Sequence, residues 1–111
     1  MKTIEIKGKT YNYKYSLRAL FIFERITGRP FALNDTMDTF TFFYAMLLAN
    51  NEDLSNILSF DEFIDECDEN ATIGNEMGDY LLSYFQNPLN KNDVDENKED
   101  DRSKKKSQRK N

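Results

Sequence analysis

Carboxylates are the side chains in this sequence whose number and spacing could support chemistry. The stretch from Asp65 to Glu76, DECDENATIGNE, has the twelve-residue length of a calcium loop and ends in a glutamate, as such a loop does. However, its third position is Cys67, and Asn70 stands where the loop needs a glycine for its sharp turn. The sequence therefore predicts no calcium site here.

The other reactive residue types are scarce. The chain contains no histidine and a single cysteine, Cys67. Without histidine, the commonest general base is missing and nothing activates the thiol, and one cysteine cannot form a zinc site or an internal disulfide. Paired carboxylates could serve a glycosidase, but here they fall on a short exposed helix without a predicted pocket to raise a pKa. We therefore predict no catalytic residue, metal or cofactor, and a protein that is not an enzyme.

The first fifteen residues alternate in the way a β-hairpin does. Apolar and aromatic side chains recur at every second position on both sides of Gly8, which suits a tight turn; they are Ile4, Ile6, Tyr11, Tyr13 and Tyr15. An isolated hairpin is barely stable in water, so this face is expected to pack on the helix that follows.

The stretch SLRALFIFERITGRPF predicts the first helix. Ser16 suits its N-cap, Gly28 suits the left-handed residue after its end, and Pro30 prevents the helix from resuming. Apolar side chains cover most of its circumference and leave a narrow strip to Arg18 and Arg25, seven residues apart. Such a helix is either fully buried, or buried on one side and offered to a partner on the other.

A second helix is predicted in TFTFFYAMLLAN, where most apolar residues form one stripe. Phe42 and Met46 lie off that stripe. We therefore predict that Phe42 and Met46 contribute to a partner-binding surface.

A third helix is predicted in SFDEFIDECDEN, where Ser59 and Glu62 have the spacing of a capping box. One face is apolar and the other acidic, and the acidic side chains are further candidates for partner binding; they are Asp61, Asp65, Glu66 and Glu69. The stretch ATIGNEMGDYLLSYFQNP predicts a last helix, which ends before Pro88.

Together these patterns predict an α+β fold, with an N-terminal β-hairpin followed by a bundle of about four helices over residues 1–86. Residues 87–111 are almost devoid of apolar side chains, and we predict that they form a disordered, charged tail. The net charge of −5 is unevenly distributed: residues 1–29 carry seven basic and two acidic side chains, whereas residues 30–86 carry twelve acidic and no basic ones. This split allows self-association of basic on acidic regions and disfavours specific nucleic-acid binding.

The start of the chain lacks the apolar region of a signal peptide, and no apolar stretch is long enough to cross a bilayer. We therefore expect a cytoplasmic protein that does not bind membranes.

The order of these elements resembles the small tail assembly chaperones of long-tailed bacteriophages and prophages. The resemblance covers roughly residues 2–86 and is carried by a Leu-Arg-x-Leu…Phe-Glu…Thr-Gly pattern in the first helix, followed by the apolar second helix and the acidic third one. The matching residues of the pattern are Leu17, Arg18, Leu20, Phe23, Glu24, Thr27 and Gly28.

This resemblance implies a non-enzymatic protein that binds the tape-measure protein in the infected bacterial cell and helps to recruit the tail-tube protein. It also implies that the protein is absent from the finished virion. Three alternatives remain open at this point: a generic protein-binding adaptor, a small self-assembling phage structural protein, and an acidic DNA mimic. The mimic is the weakest of them, because the acidic residues cluster over too short a stretch to imitate a run of phosphates.

Overall fold

The computed structural model describes residues 1–86, which form a two-stranded antiparallel sheet followed by five helices. The elements are β1 (Lys2–Ile6), β2 (Lys9–Tyr13), α1 (Leu17–Thr27), α2 (Thr36–Asn50), α3 (Leu54–Ile57), α4 (Phe60–Glu69) and α5 (Ala71–Gln86). The predicted α+β class, with a hairpin leading into about four helices, is confirmed, and the one-turn α3 is additional. The predicted disordered tail, residues 87–111, lies outside the described residues. None of the described helices combines the length and apolar composition needed to span a bilayer.

The hairpin has the register that the alternation predicts, with Ile4 opposite Tyr11. Lys7 and Gly8 form its two-residue turn, and both have positive φ angles, 55° and 75°. Two successive positive φ values are typical of the turn type whose twist matches that of paired strands. The buried face of the hairpin packs mainly on α2 and α5, and not on the helix that directly follows it as expected; it consists of Ile4, Ile6, Tyr11 and Tyr13.

Helix α2 lies at the centre of the fold and has no exposed face along its middle. Seven consecutive residues, 41–47, are buried, because α1, β2 and α4 each cover part of the helix. Phe42 and Met46 are both 0% exposed. The prediction that they contribute to a partner-binding surface is therefore wrong. Their position off the main stripe reflects additional packing partners within the fold and not a free face.

A buried carboxylate holds the connection between α1 and α2. Asp38 is 2% exposed, pairs with the Arg29 guanidinium through both oxygens, and accepts the Asn34 backbone N–H at 3.0 Å. The hydrogen bonds from Arg29 and Asn34 lower the pKa of Asp38 below its ordinary value. The backbone N–H of Asp38 in turn donates to Asp35, the N-cap of α2, at 2.8 Å.

Tyr15 joins the start of α1 to the end of α5. Its ring stacks on Tyr84 at 4.3 Å between centroids and meets the edge of Phe85 at 5.5 Å. Its backbone N–H donates to the Tyr80 hydroxyl at 2.9 Å. The segment that leads into α1 is thereby fixed to the end of α5, so that α1 is held at its start by Tyr15 and beyond its end by Arg29.

Candidate functional site

Helix α1 exposes more large apolar side chains than any other helix of residues 1–86. Leu17, Phe21 and Ile26 are 68%, 57% and 52% exposed, respectively. Leu17 and Phe21 lie one turn apart on one side of the helix, whereas Ile26 is half a circumference away from Leu17. Single exposed apolar residues are common on soluble proteins, but neighbouring ones such as Leu17 and Phe21 are typical of an interaction surface.

The fold leaves this side of α1 free because the opposite side is used for packing. Ala19 and Phe23 are 0% exposed, and α1 lies against α2 along its length. The Ser16 hydroxyl accepts the Ala19 N–H at 3.1 Å, and Gly28, with φ of 74°, donates its N–H to the carbonyl of Glu24 at 2.8 Å. Both predicted helix ends are confirmed. Of the two alternatives drawn from the sequence, the helix buried on one side only is the one observed.

The exposed side of α1 combines apolar and basic residues in an ordered way. At 100° and 1.5 Å per residue, Arg18 and Arg25 lie on the same line along the helix, roughly 10 Å apart. Phe21 and Ile22 flank that line halfway between them. The side chains of Leu17, Arg18, Phe21, Ile22 and Arg25 line a shallow, open cavity of roughly 360 Å³. We refer to these five residues as the α1 face, and Ile26 lies outside it.

The α1 face carries an excess of positive charge. Within residues 1–86, neither Arg18 nor Arg25 forms an ion pair. The single carboxylate of α1, on Glu24, is half-buried, and its Oε2 atom accepts the backbone N–H of Phe31 at 2.9 Å. The part of the chain that the structure describes therefore provides no paired counter-charge for these two arginines.

The residues that carry the family resemblance separate into two groups in space. Glu24 and Gly28 stabilise the end of α1 through the bonds described above, and the Thr27 hydroxyl donates to the carbonyl of Phe23 at 2.9 Å. Phe23 is in the core, and Leu20 is half-buried against it. Leu17 and Arg18, by contrast, belong to the α1 face.

The acidic residues of α4 form a separate surface. The capping box predicted from Ser59 and Glu62 is confirmed, and the hydrogen bond from the Ser59 N–H lowers the pKa of Glu62. The carboxylates proposed for partner contacts lie mostly in the open: Asp61, Asp65 and Glu69 are exposed, and Glu66 is half-buried. They are not part of the α1 face.

A smaller apolar cluster lies near the end of α5. Leu82 and Phe85 are 56% and 47% exposed and are separated by one helical turn. Phe85 also contacts the ring of Tyr15, which lies two residues before the start of α1. Exposed apolar side chains therefore occur on both helices that meet at Tyr15.

Cys67 has the properties of a structural residue. Its side chain is half-buried against the core, and this burial, together with Asp68 and Glu66, raises its pKa to about 11. The reactive thiolate is therefore rare near neutral pH. Among the residues described, no three of the His, Cys, Asp and Glu side chains lie close enough together to hold a metal ion.

Comparison of the chain with family models, with curated proteins and with solved structures finds no match. The α1 face must therefore be interpreted from its own chemistry.

The sequence pattern missed part of this face. The apolar pattern of α1 does not distinguish Phe21 and Ile26 from the buried residues, because their exposure depends on which side of α1 the rest of the fold covers. The signal that points to them is the line formed by Arg18 and Arg25, because charged residues mark the side of a helix that faces water.

Proposed function

We propose that this protein is a non-enzymatic tail assembly chaperone of a long-tailed bacteriophage or prophage. In this role it binds the tape-measure protein in the cytoplasm of the infected bacterium, keeps it soluble, assists tail-tube assembly and is absent from the finished virion. The observation that carries the proposal is the α1 face, where the exposed Leu17 and Phe21 lie beside two arginines on a helix whose other side packs on the fold.

The arrangement of the fold supports this role. A chaperone for a long helical client needs a surface that can accept an amphipathic helix, and helix-in-groove recognition uses apolar anchors about one turn apart. Leu17 and Phe21 have this spacing, and the cavity between the arginines provides room for a side chain from the client. The order of hairpin, α1, α2 and acidic α4 is also the order that the family resemblance implies.

The acidic surface of α4 has a second part in the proposal. A protein that presents apolar residues needs charge elsewhere to remain soluble, and twelve acidic side chains without a basic one over residues 30–86 supply it. Asp65, Glu66 and Glu69 would additionally contact basic segments of the same long client.

The test is coexpression of the full chain with the long helix-rich protein encoded beside it, scored by the soluble fraction of that protein and by its retention on the tagged chain. We expect Phe21→Ser to reduce retention strongly and Leu82→Ser, which alters an equally exposed apolar residue on α5, to have little effect. Reversing the charges of Asp65, Glu66 and Glu69 should weaken retention more than reversing Glu52, Glu76 and Asp79, which are also exposed. A client that is neither retained nor kept soluble by the unmodified chain would refute the proposal.

A second candidate is a small structural protein that assembles with itself, and the exposed Leu82 and Phe85 favour it. If basic residues near the start of one copy meet the acidic region of another, association weakens as salt rises, because screening acts on exposed charges. Sedimentation velocity at low and high salt tests this idea. A monomer under both conditions would eliminate it.

A further inference from the structure

We propose that the α1 face selects a client helix with two carboxylates seven residues apart and an apolar side chain midway between them. This inference rests on the proposed function, because it defines the segment of the client that α1 accepts. On one face of the client helix, an acidic residue is followed three or four positions later by an apolar residue and seven positions later by a second acidic residue.

The spacing follows from the geometry of α1. Arg18 and Arg25 are separated by seven residues, which corresponds to an axial rise of roughly 10 Å. A helix packed at the shallow crossing angle common in bundles runs nearly parallel or antiparallel to α1, so its own residues seven apart face the two arginines. Its residue midway then points at the cavity between Phe21 and Ile22.

The requirement for carboxylates follows from what docking does to the arginines. Both lie in the middle of the α1 face, between Phe21 on one side and Ile22 on the other, so a helix that covers these apolar residues also removes water from the guanidinium groups. Within residues 1–86 no carboxylate is paired with either arginine. A buried charge without a partner is strongly unfavourable, whereas an arginine–carboxylate pair can form two parallel hydrogen bonds. Carboxylates on the client therefore replace the unfavourable burial of an unpaired arginine with a specific hydrogen-bonded ion pair.

The rest of the domain directs such a client to α1. Residues 30–86 carry twelve acidic and no basic side chains, so the surface formed by α2 to α5 repels a segment with exposed carboxylates. A client with basic residues at the same two positions meets the opposite pattern, with repulsion at α1 and attraction on α2 to α5. The charge distribution thus disfavours a client helix with basic residues as well as favouring one with carboxylates.

Three synthetic peptides of about 20 residues, long enough to be helical in water with suitable flanks, provide the probe. The first has Glu at positions i and i+7 with Leu at i+3 and i+4, and the second replaces both Glu residues with Lys. The third has the composition of the first with the Glu residues moved to the opposite helical face. Binding of each labelled peptide to the full 111-residue chain is measured by fluorescence anisotropy at low and high salt.

We expect the first peptide to bind at least ~10-fold more tightly than the other two, with a preference that shrinks as salt rises. Phe21→Ser should weaken its binding by a similar factor. The double variant Arg18→Glu, Arg25→Glu should invert the preference in favour of the Lys peptide. The double variant Lys2→Glu, Lys9→Glu, which makes the same charge change on the exposed hairpin, should leave the preference unchanged.

Equal affinities for the three peptides, binding of none of them, or equal effects of the two double variants would overturn the inference. So would a chain that dimerises through α1, seen as peptide binding that competes with self-association, since the occupant of the face would then be a second copy. The two proposals can fail separately. If the phage protein is retained but Arg18→Glu, Arg25→Glu changes nothing, only the inference fails; if the peptides discriminate but no phage protein is retained, only the proposed function fails.

Discussion

Two phenylalanines on one turn of α1, Phe21 and Phe23, allow the assignment of its exposed and buried sides to be tested with the same substitution. Phe23 is 0% exposed, and its ring lies 5.3 Å from that of Phe31 and 6.0 Å from that of Phe42. Truncating a fully buried phenylalanine to alanine costs about 3–5 kcal/mol, from lost apolar contact and from the cavity left behind. Phe21 is 57% exposed, so Phe21→Ala should cost less than about 1 kcal/mol.

The assay is urea unfolding of each variant, followed by far-UV circular dichroism. A domain of the described size is expected to have a total stability of roughly 4–13 kcal/mol, so Phe23→Ala could be largely unfolded in water. Phe23→Leu, at about 1–1.5 kcal/mol, keeps the measurement within range and should lower the melting temperature by roughly 5–10 °C. Equal destabilisation by Phe21→Ala and Phe23→Ala, or a loss above about 2 kcal/mol for Phe21→Ala, would refute the assignment of the two sides of α1.

Three further predictions concern single residues. Gly28→Ala should destabilise the domain by about 1 kcal/mol in urea unfolding, because φ at Gly28 is 74°, which strains the backbone of most residues other than glycine. The strain is the only cost, since nothing lies within 4 Å of an added β-carbon, and Gly28→Asn should be less harmful because asparagine tolerates this conformation better. Because Arg29 lowers the pKa of Asp38 in the folded state, the pair contributes stability above the unfolded pKa of about 4, and this contribution is lost as pH falls through the folded pKa. Asp38→Asn should flatten this acid dependence of the free energy of unfolding. An unchanged pH profile would contradict the role of the pair. Cys67 should react with iodoacetamide on the order of 100-fold more slowly in the native protein than in urea, given a pKa raised from 9.0 to about 11, and rapid native labelling would contradict its burial.

Features that depend on a few neighbouring residues could be predicted from the sequence. The N-cap at Ser16, the left-handed Gly28 and the capping box of Ser59 and Glu62 are all closed by hydrogen bonds that reach three or four residues along the chain. The hairpin belongs to the same class, because its turn and its alternation are local. In these cases the residue type and the spacing determine the backbone directly.

Features that depend on distant contacts could not be predicted. Whether Phe42 and Met46 lie in the core or on a surface is decided by how many elements surround α2, and an apolar side chain off the main stripe is compatible with either outcome. The bond from Tyr15 to Tyr80 joins residues 65 apart in the chain, and Asp38 meets Arg29 only because the intervening segment turns back. No periodicity in the sequence records such pairings.

The residues that resemble the tail assembly chaperones differ in how much they say about function. Phe23, Glu24, Thr27 and Gly28 pack α1 or end it, so any helix that must stop at this point could use them. A helix that only had to fold would be served equally well, or better, by polar residues in place of the exposed Leu17 and Phe21. Arg18 and Arg25 likewise form no ion pair within residues 1–86. The side chains that the fold does not need are therefore the ones on which a function of this protein can be tested.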